Sequence, residues 1–148
     1  MAGFRQILYH LTFHTKYSHP VLLNCGNDDL FKYIWGIMKN NNCKLFRING
    51  VEDHIHIVCE LHPSIALANL IKDIKVSSSK WIKENHIYPN FTHWAEGYGA
   101  FTFSIKEKDR IVKYVMNQQE HHKTETSREE LIRFLMENGI PFNEKYLL

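Results

Sequence analysis

Two histidines one residue apart, His54 and His56, stand in the stretch VEDHIHIVCEL that runs from Val51 to Leu61. Successive side chains of a β-strand point to opposite faces. Val51, Ile55, Ile57, Cys59 and Leu61 therefore share one face, and Glu52, His54, His56 and Glu60 the other, with Val58 interrupting the polar row. The apolar row is complete without the histidines, so they are expected side by side on a polar face and not needed for burial. Such a pair serves either as hydrogen-bonded strand histidines or as two ligands of a metal ion. A closed zinc site would ask for four ligands, usually including thiolates. Two imidazoles and one oxygen donor instead leave positions open for water or a substrate phosphate.

A partner for that pair lies further along the chain. Ile111, Tyr114, Val115 and Gln118 fall at i, i+3, i+4 and i+7, which puts Tyr114 and Gln118 one turn apart on the buried face of a helix. Tyr114 fits a core aromatic with its hydroxyl at the rim, and Gln118 fits a cap on a neighbouring backbone group. The same two residues also fit a phenol nucleophile beside a metal held partly by the glutamine amide oxygen. A free phenol has a pKa near 10. It becomes a useful nucleophile at neutral pH only beside a cation that favours phenolate and polarises the phosphate.

Other residues carry weaker signals. Glu60 shares the histidine face. His121 and His122 follow Tyr114 by about two turns and suit a helix C-terminus or a supporting role at the site. Lys72, Lys75 and Lys83 lie along one helix face with Ser79, and with Lys16 they fit either a solvated surface or contacts to a phosphate backbone. Trp81, Trp94 and Tyr98 suit the core or stacking on unpaired bases. His10–Thr12 and His62–Ser64 each match H-x-[ST], the pattern of a metal-free two-histidine phosphoesterase, although Pro63 interrupts the second. Asp53, Asp73 and Asp109 show no spacing that would gather an acidic triad.

The elements that must position these groups are legible in outline. Tyr9, Leu11 and Phe13 alternate with His10, Thr12 and His14 as a first strand. A helix opens near Asn27–Asp29, carries Leu30, Ile34, Trp35 and Met38, and stops at Asn40–Asn42. KLFRING and the histidine strand follow, joined around Gly50. Pro63 suits the first turn of a helix with the stripe Leu67, Leu70, Ile71 and Ile74. Gly97 and Gly99 lead into a short strand around Phe101–Phe103. Ser104 with Glu107 reads as a capping box for a helix from about Ile105 to His122, and Ser127 with Glu130 as the cap of a last helix closed by Gly139 and Pro141. The order β α β β α β α α predicts an α+β fold, one antiparallel sheet with helices packed on it, in a single domain over 1–148.

Bulk properties agree. A chain of 148 residues, 44% hydrophobic and 13% aromatic, can bury one sizeable core. A net charge of +2 carries no strong basic field, so any basic surface is local. Cys25, Cys43 and Cys59 lack C-x-x-C spacing, which argues against a disulfide framework or a thiolate zinc site. With no leader-like or membrane-length apolar run, a soluble cytoplasmic protein is expected.

DHIHIV, GYGAF before a capped helix, and YVMNQQEHH together resemble the HUH-type single-tyrosine transposases of small bacterial insertion sequences, and the likeness runs over nearly the whole chain. The resemblance implies a ferredoxin-like or RRM-like sheet. It implies that His54, His56 and Gln118 hold Mg²⁺ or Mn²⁺ and that Tyr114 attacks a phosphodiester of single-stranded DNA, forming a 5′-phosphotyrosine. It further implies a homodimer with shared active sites and recognition of DNA hairpins at transposon ends. A hairpin-binding or domesticated protein on the same fold is the alternative from outside mobile-element chemistry.

Overall fold

The computed structural model describes residues 3–147. Four antiparallel strands form the sheet: β1 (Leu8–His14), β2 (Lys44–Val51), β3 (His54–Glu60) and β4 (Gly99–Thr102), in the spatial order β2-β3-β1-β4. Between and after them come α1 (Asn24–Asn40), α2 (Leu67–Glu84), α3 (Lys108–Met116), α4 (Gln118–His121) and α5 (Ser127–Glu137). The α+β sheet-and-helix architecture expected from the pattern is the one observed.

Strict alternation divides the sheet chemically. Leu11, Phe13, Ile55 and Ile57 face α1 and α2, where Leu30, Ile34, Leu70 and Ile74 close the main core. The opposite face carries His10, Thr12, His14, His54 and His56. In register, His14 pairs with His54 and Thr12 with His56. A second, smaller cluster covers that face: Val58, Ile111 and Val115, with Phe46, Phe103, Val112 and Tyr114 packed against it.

That second layer corrects one expectation. His54 and His56 are fully buried, because α3 to α5 and the residues between them lie over the polar row and make the sheet two-sided. Burying imidazoles is tolerable only where each ring nitrogen finds a partner, and all four of theirs do.

Several boundaries also move. The β2–β3 turn is Glu52–Asp53, so Gly50 and Val51 belong to β2. α1 starts at Asn24, before the Asn27–Asp29 signal, and Asn27 is drawn inside to bond the Tyr88 hydroxyl. α2 begins at Leu67; Pro63 and Ser64 form a separate turn in which His62 Nδ1 lies 2.6 Å from Ser64 Oγ. The predicted helix from Ile105 to His122 is a short 3-10 turn, then α3, then a break at Asn117 before α4, and Ser104 makes no side-chain cap. The break has a visible cause. Asn49 of β2 reaches across with its Nδ2, donating to Val115 O at 2.9 Å and Met116 O at 3.1 Å, while Gln119 Nε2 donates to Asn49 Oδ1 at 2.9 Å. Carbonyls that end a helix need donors, and here a strand side chain supplies them.

The capping box of α5 is built by Thr126 and Glu129, one residue earlier than the expected Ser127 and Glu130. The displaced pair turns inward instead.

Candidate active site

Glu130, projecting from α5, sits at the centre of the buried polar face and is almost wholly inaccessible. Its Oε1 lies 2.8 Å from His56 Nε2 and 3.1 Å from His54 Nε2, and those two nitrogens are 3.1 Å apart. Its Oε2 accepts from the Tyr114 hydroxyl, from Gln118 Nε2 at 3.2 Å and from His122 Nε2 at 3.2 Å. His122 Nε2 also meets Gln118 Oε1 at 2.9 Å.

The far nitrogens of both strand histidines are held as well. His54 Nδ1 is 2.7 Å from Asp53 Oδ1, which Ser127 Oγ also donates to at 2.8 Å. His56 Nδ1 is 2.7 Å from His10 Nε2 on β1. Phe134 on α5 packs edge-on against His10, His56 and Tyr114, walling off the site.

Tyr114 and Gln118 straddle the Asn117 break, and within one chain both bond Glu130, which in turn bonds the histidine pair. Tyr114 has a second partner: Arg133 Nη2 donates to its oxygen at 2.7 Å. A cavity of about 250 Å³ opens beside them, with His10, Phe101, Arg110, Tyr114, Arg133 and Phe134 among its walls.

The electrostatics follow from burial against partners. Burial, aided by His56, pushes His10 down to about 3; burial, aided by His54, does the same to His14. Burial lowers His56 to about 4, although its bond to Glu130 pulls the other way. Burial would lower His54 too, yet its bonds to Asp53 and Glu130 outweigh it and raise the group to about 9. Burial would raise Glu130, but hydrogen bonds from His122, His54 and His56 hold it well below the usual carboxylate range. At neutral pH this leaves a His54 imidazolium paired with the Glu130 carboxylate, and His10, His14 and His56 neutral. Burial and the bond to Glu130 push Tyr114 upward, and Arg133 pulls it back.

The residues fit a divalent cation. One ligand atom each from His54, His56, His122 and Glu130 lies within 4.8 Å of all the others. Imidazole nitrogens with a carboxylate and no thiolate suit a divalent ion of the first transition row; Cys43 and Cys59 are buried elsewhere, in the opposite, apolar core. Asp53 and His10 do what supporting groups do at metal sites, fixing each ring's orientation and tautomer from behind. Gln118 stands one step back, against Glu130 and His122.

The structure gathers His54, His56, Tyr114 and Gln118, with His122 beside them, and adds Glu130, Asp53, His10 and Arg133. His10 was legible, since it lies on the same face of β1 as His14. Glu130 was hidden by its resemblance to a cap. The lysines stand apart: Lys72, Lys75 and Lys83 are on α2, which packs on the other face of the sheet, and Lys75 Nζ already donates to Ala95 O at 2.8 Å. Lys16 follows β1 in a 3-10 turn. Glu60 ends β3, opposite Lys44 and Leu8. Trp81 stacks on Tyr33 at 4.8 Å and Trp94 is core against Phe13, while Tyr98 is exposed. His62 and His10 do not form a pair: His62 is bonded to Ser64, and His10 is turned towards His56.

The chain is 25% identical over 122 residues to the ISDra2 transposase TnpA of Deinococcus radiodurans, covering 78% of this chain and 86% of that protein. The fold is similar to a crystal structure of a Deinococcus radiodurans transposase, with TM-score 0.63, 24% identity, and coverage of 80% of this chain and 95% of the other. It is similar in fold to a REP-associated tyrosine transposase solved with a REP hairpin, with TM-score 0.63, 13% identity, and coverage of 82% and 74%. No helix among the described residues is long and apolar enough to cross a membrane. Residues 4–118 match the family model described as "Transposase IS200 like", and the chain belongs to that family of DNA-cleaving and rejoining enzymes.

Proposed function

We propose that the chain cuts and rejoins single-stranded DNA with Tyr114 as nucleophile. The observation that carries this reading is the position of the Tyr114 oxygen, bonded to Glu130, whose other oxygen bridges His54 and His56. Attack on phosphorus by the tyrosine oxygen breaks the bond to O3′, giving a 5′-phosphotyrosine and a free 3′ hydroxyl. One phosphodiester replaces another, so a later 3′ hydroxyl can reverse the step without ATP.

A Mg²⁺ or Mn²⁺ ion held by His54 and His56 with an oxygen from Glu130 or Gln118 would polarise the phosphate and favour phenolate. The chain's own groups do the rest. Asp53 and His10 orient the imidazoles, Phe134 excludes water, and Gln118 braces Glu130. Lys72, Lys75 and Lys83, on the helix across the sheet from Tyr114, would meet phosphates only where the DNA wraps beyond the cleaved segment, and Lys16 stands in the turn that follows β1. The substrate is a hairpin at an insertion-sequence end, a reading supported by the hairpin bound to the REP-associated neighbour. The enzyme acts in the cytoplasm, where such DNA is available.

Labelled hairpin DNA from the sequence flanking the gene tests this. With Mn²⁺ the protein should form a covalent adduct with the 5′ phosphate of the fragment downstream of the cut, and EDTA should abolish it. A shifted band with no adduct on any flanking substrate would favour a hairpin-binding protein. Cleavage that survives EDTA and needs His10 would favour the phosphoesterase.

We further propose a homodimer. The resemblance implies sites shared between subunits, whereas Tyr114 here meets the histidine pair of its own chain through Glu130. Mixing a His54→Ala His56→Ala protein with a Tyr114→Phe protein separates the two arrangements. The within-chain contact leads us to expect no recovered cleavage; recovery would establish sharing.

A further inference from the structure

We propose that Arg133 is a catalytic residue of this chain, its guanidinium stabilising negative charge on the Tyr114 oxygen both when that oxygen attacks and when it departs. This rests on Tyr114 being the nucleophile.

Arg133 Nη2 donates to the Tyr114 oxygen at 2.7 Å, on a different donor–acceptor line from the bond that Tyr114 gives to Glu130. The nucleophilic oxygen therefore has an acceptor for its proton and a donor for its charge. The guanidinium is held in place rather than left to reach. Its Nε donates to Glu125 Oε2 at 3.1 Å and its Nη2 to Glu125 Oε1 at 3.1 Å, a two-point fork. His121 Nε2 fixes Glu125 from the other side at 2.7 Å. The guanidinium carbon also lies 4.8 Å from the Phe134 ring centre and 5.3 Å from that of Tyr114. One third of the side chain stays accessible, and the residue lines the cavity that Tyr114 also lines.

A preset donor aimed where charge develops is the arrangement that lowers a barrier, because no reorganisation is needed at the moment of reaction. As the Tyr114 oxygen bonds to phosphorus, the P–O3′ bond breaks. The phenolic proton is given up to water and O3′ takes one back from water, so the exchange of one phosphodiester for another leaves no net proton gained or lost. In the reverse step the tyrosine oxygen leaves with the electron pair of its bond to phosphorus, and the guanidinium meets that charge. Glu125 is a positioning residue, acting through Arg133. Both lie beyond residues 4–118, the stretch that matches the family model.

The test compares wild type with Arg133→Gln, Arg133→Lys and Glu125→Gln in Mn²⁺. It measures the adduct-formation rate from the bound complex, the rejoining rate from purified adduct, DNA affinity and melting temperature. Arg133→Gln should slow both chemical steps by about 100- to 1000-fold, the usual effect of removing one such donor. Its affinity for DNA should stay within about twofold, since the lost group acts on the tyrosine and not on the strand backbone. Arg133→Lys should recover part of the rate because it keeps the charge, and Glu125→Gln should slow the same steps less than Arg133→Gln. Rates in Arg133→Gln close to wild type would overturn the proposal. So would equal slowing in the Gln and Lys variants accompanied by equal loss of melting temperature, or weaker DNA binding with unchanged rates from the bound complex. Absence of an adduct in wild type would instead remove the tyrosine reading beneath it.

Discussion

Tyr114→Phe should form no covalent DNA adduct under any metal condition, while binding the same hairpin with an affinity within about twofold of wild type. The substitution removes one oxygen and little else. Phenylalanine keeps the ring contacts with Phe134 at 5.6 Å and His121 at 4.8 Å. Glu130 Oε2 keeps Gln118 and His122, and Arg133 keeps Glu125. Its two bonds to charged groups, to Glu130 and from Arg133, are worth about 1.5–3 kcal/mol each, and since both partners keep other bonds the loss falls short of the sum, which a folded domain of ordinary stability survives. Denaturing gels with 5′- and 3′-labelled strands would read the outcome. An adduct that persisted would move the nucleophile elsewhere, with the exposed Tyr98 the first alternative to examine.

The second large effect is on stability against acid. His10 and His14 are held near 3 and His56 near 4 in the folded chain, against 6.5 when unfolded. Between those values the unfolded chain binds more protons, so stability falls as pH drops below 6.5. Each such histidine contributes about 1.4 kcal/mol per pH unit, and the three together about 4. Glu130 acts in the same direction at lower pH: its carboxylate is depressed, so its contribution is present above its ordinary value of 4.5 and is lost on acidification. His54 has the opposite sign. Raised to about 9, it contributes stability that is fully present below 6.5 and is lost as pH climbs through 9. The metal-free protein should therefore be most stable near pH 6.5, lose about 3 kcal/mol towards pH 9, and unfold cooperatively near about pH 5. Urea titrations in EDTA across this range would measure it. A flat profile from pH 7 to about 4.5 would mean that the histidines are not neutral and buried; His14→Phe should reduce the acid slope by roughly one histidine's share.

How much of this was legible depended on whether a signal was periodic or positional. Strands β1 and β3 and the stripe of α2 are periodic, and periodicity averages over many residues, so they stand close to where alternation and helical spacing put them. The burial of His54 and His56 was out of reach because a polar row says which side faces away from the first core, not whether a second layer covers it. Glu130 was missed for a sharper reason. A Ser followed three residues later by Glu is the local mark of a helix cap, and Thr126 with Glu129 offers the same mark one residue earlier. Only the tertiary pull of the histidines on Glu130, and of Asp53 on Ser127, decides between the two frames. The break at Asn117 was likewise out of reach, since its cause is the side chain of Asn49 on a distant strand. The lysines of α2 were seen correctly as one face, but nothing local says that this helix lies across the sheet from Tyr114.

The pairing of β1 with β3 has an evolutionary corollary. With His14 opposite His54 and Thr12 opposite His56, the same alternation that aims imidazoles at the site aims Leu11, Phe13, Ile55 and Ile57 at the main core. A shift by one residue would exchange the two sets together, setting hydrocarbon against Glu130 and imidazoles against α1 and α2. Length changes within these strands are thus subject to a parity rule. An inserted dipeptide preserves which side each ring faces, while a single inserted residue removes the enzyme and its foundation in one step.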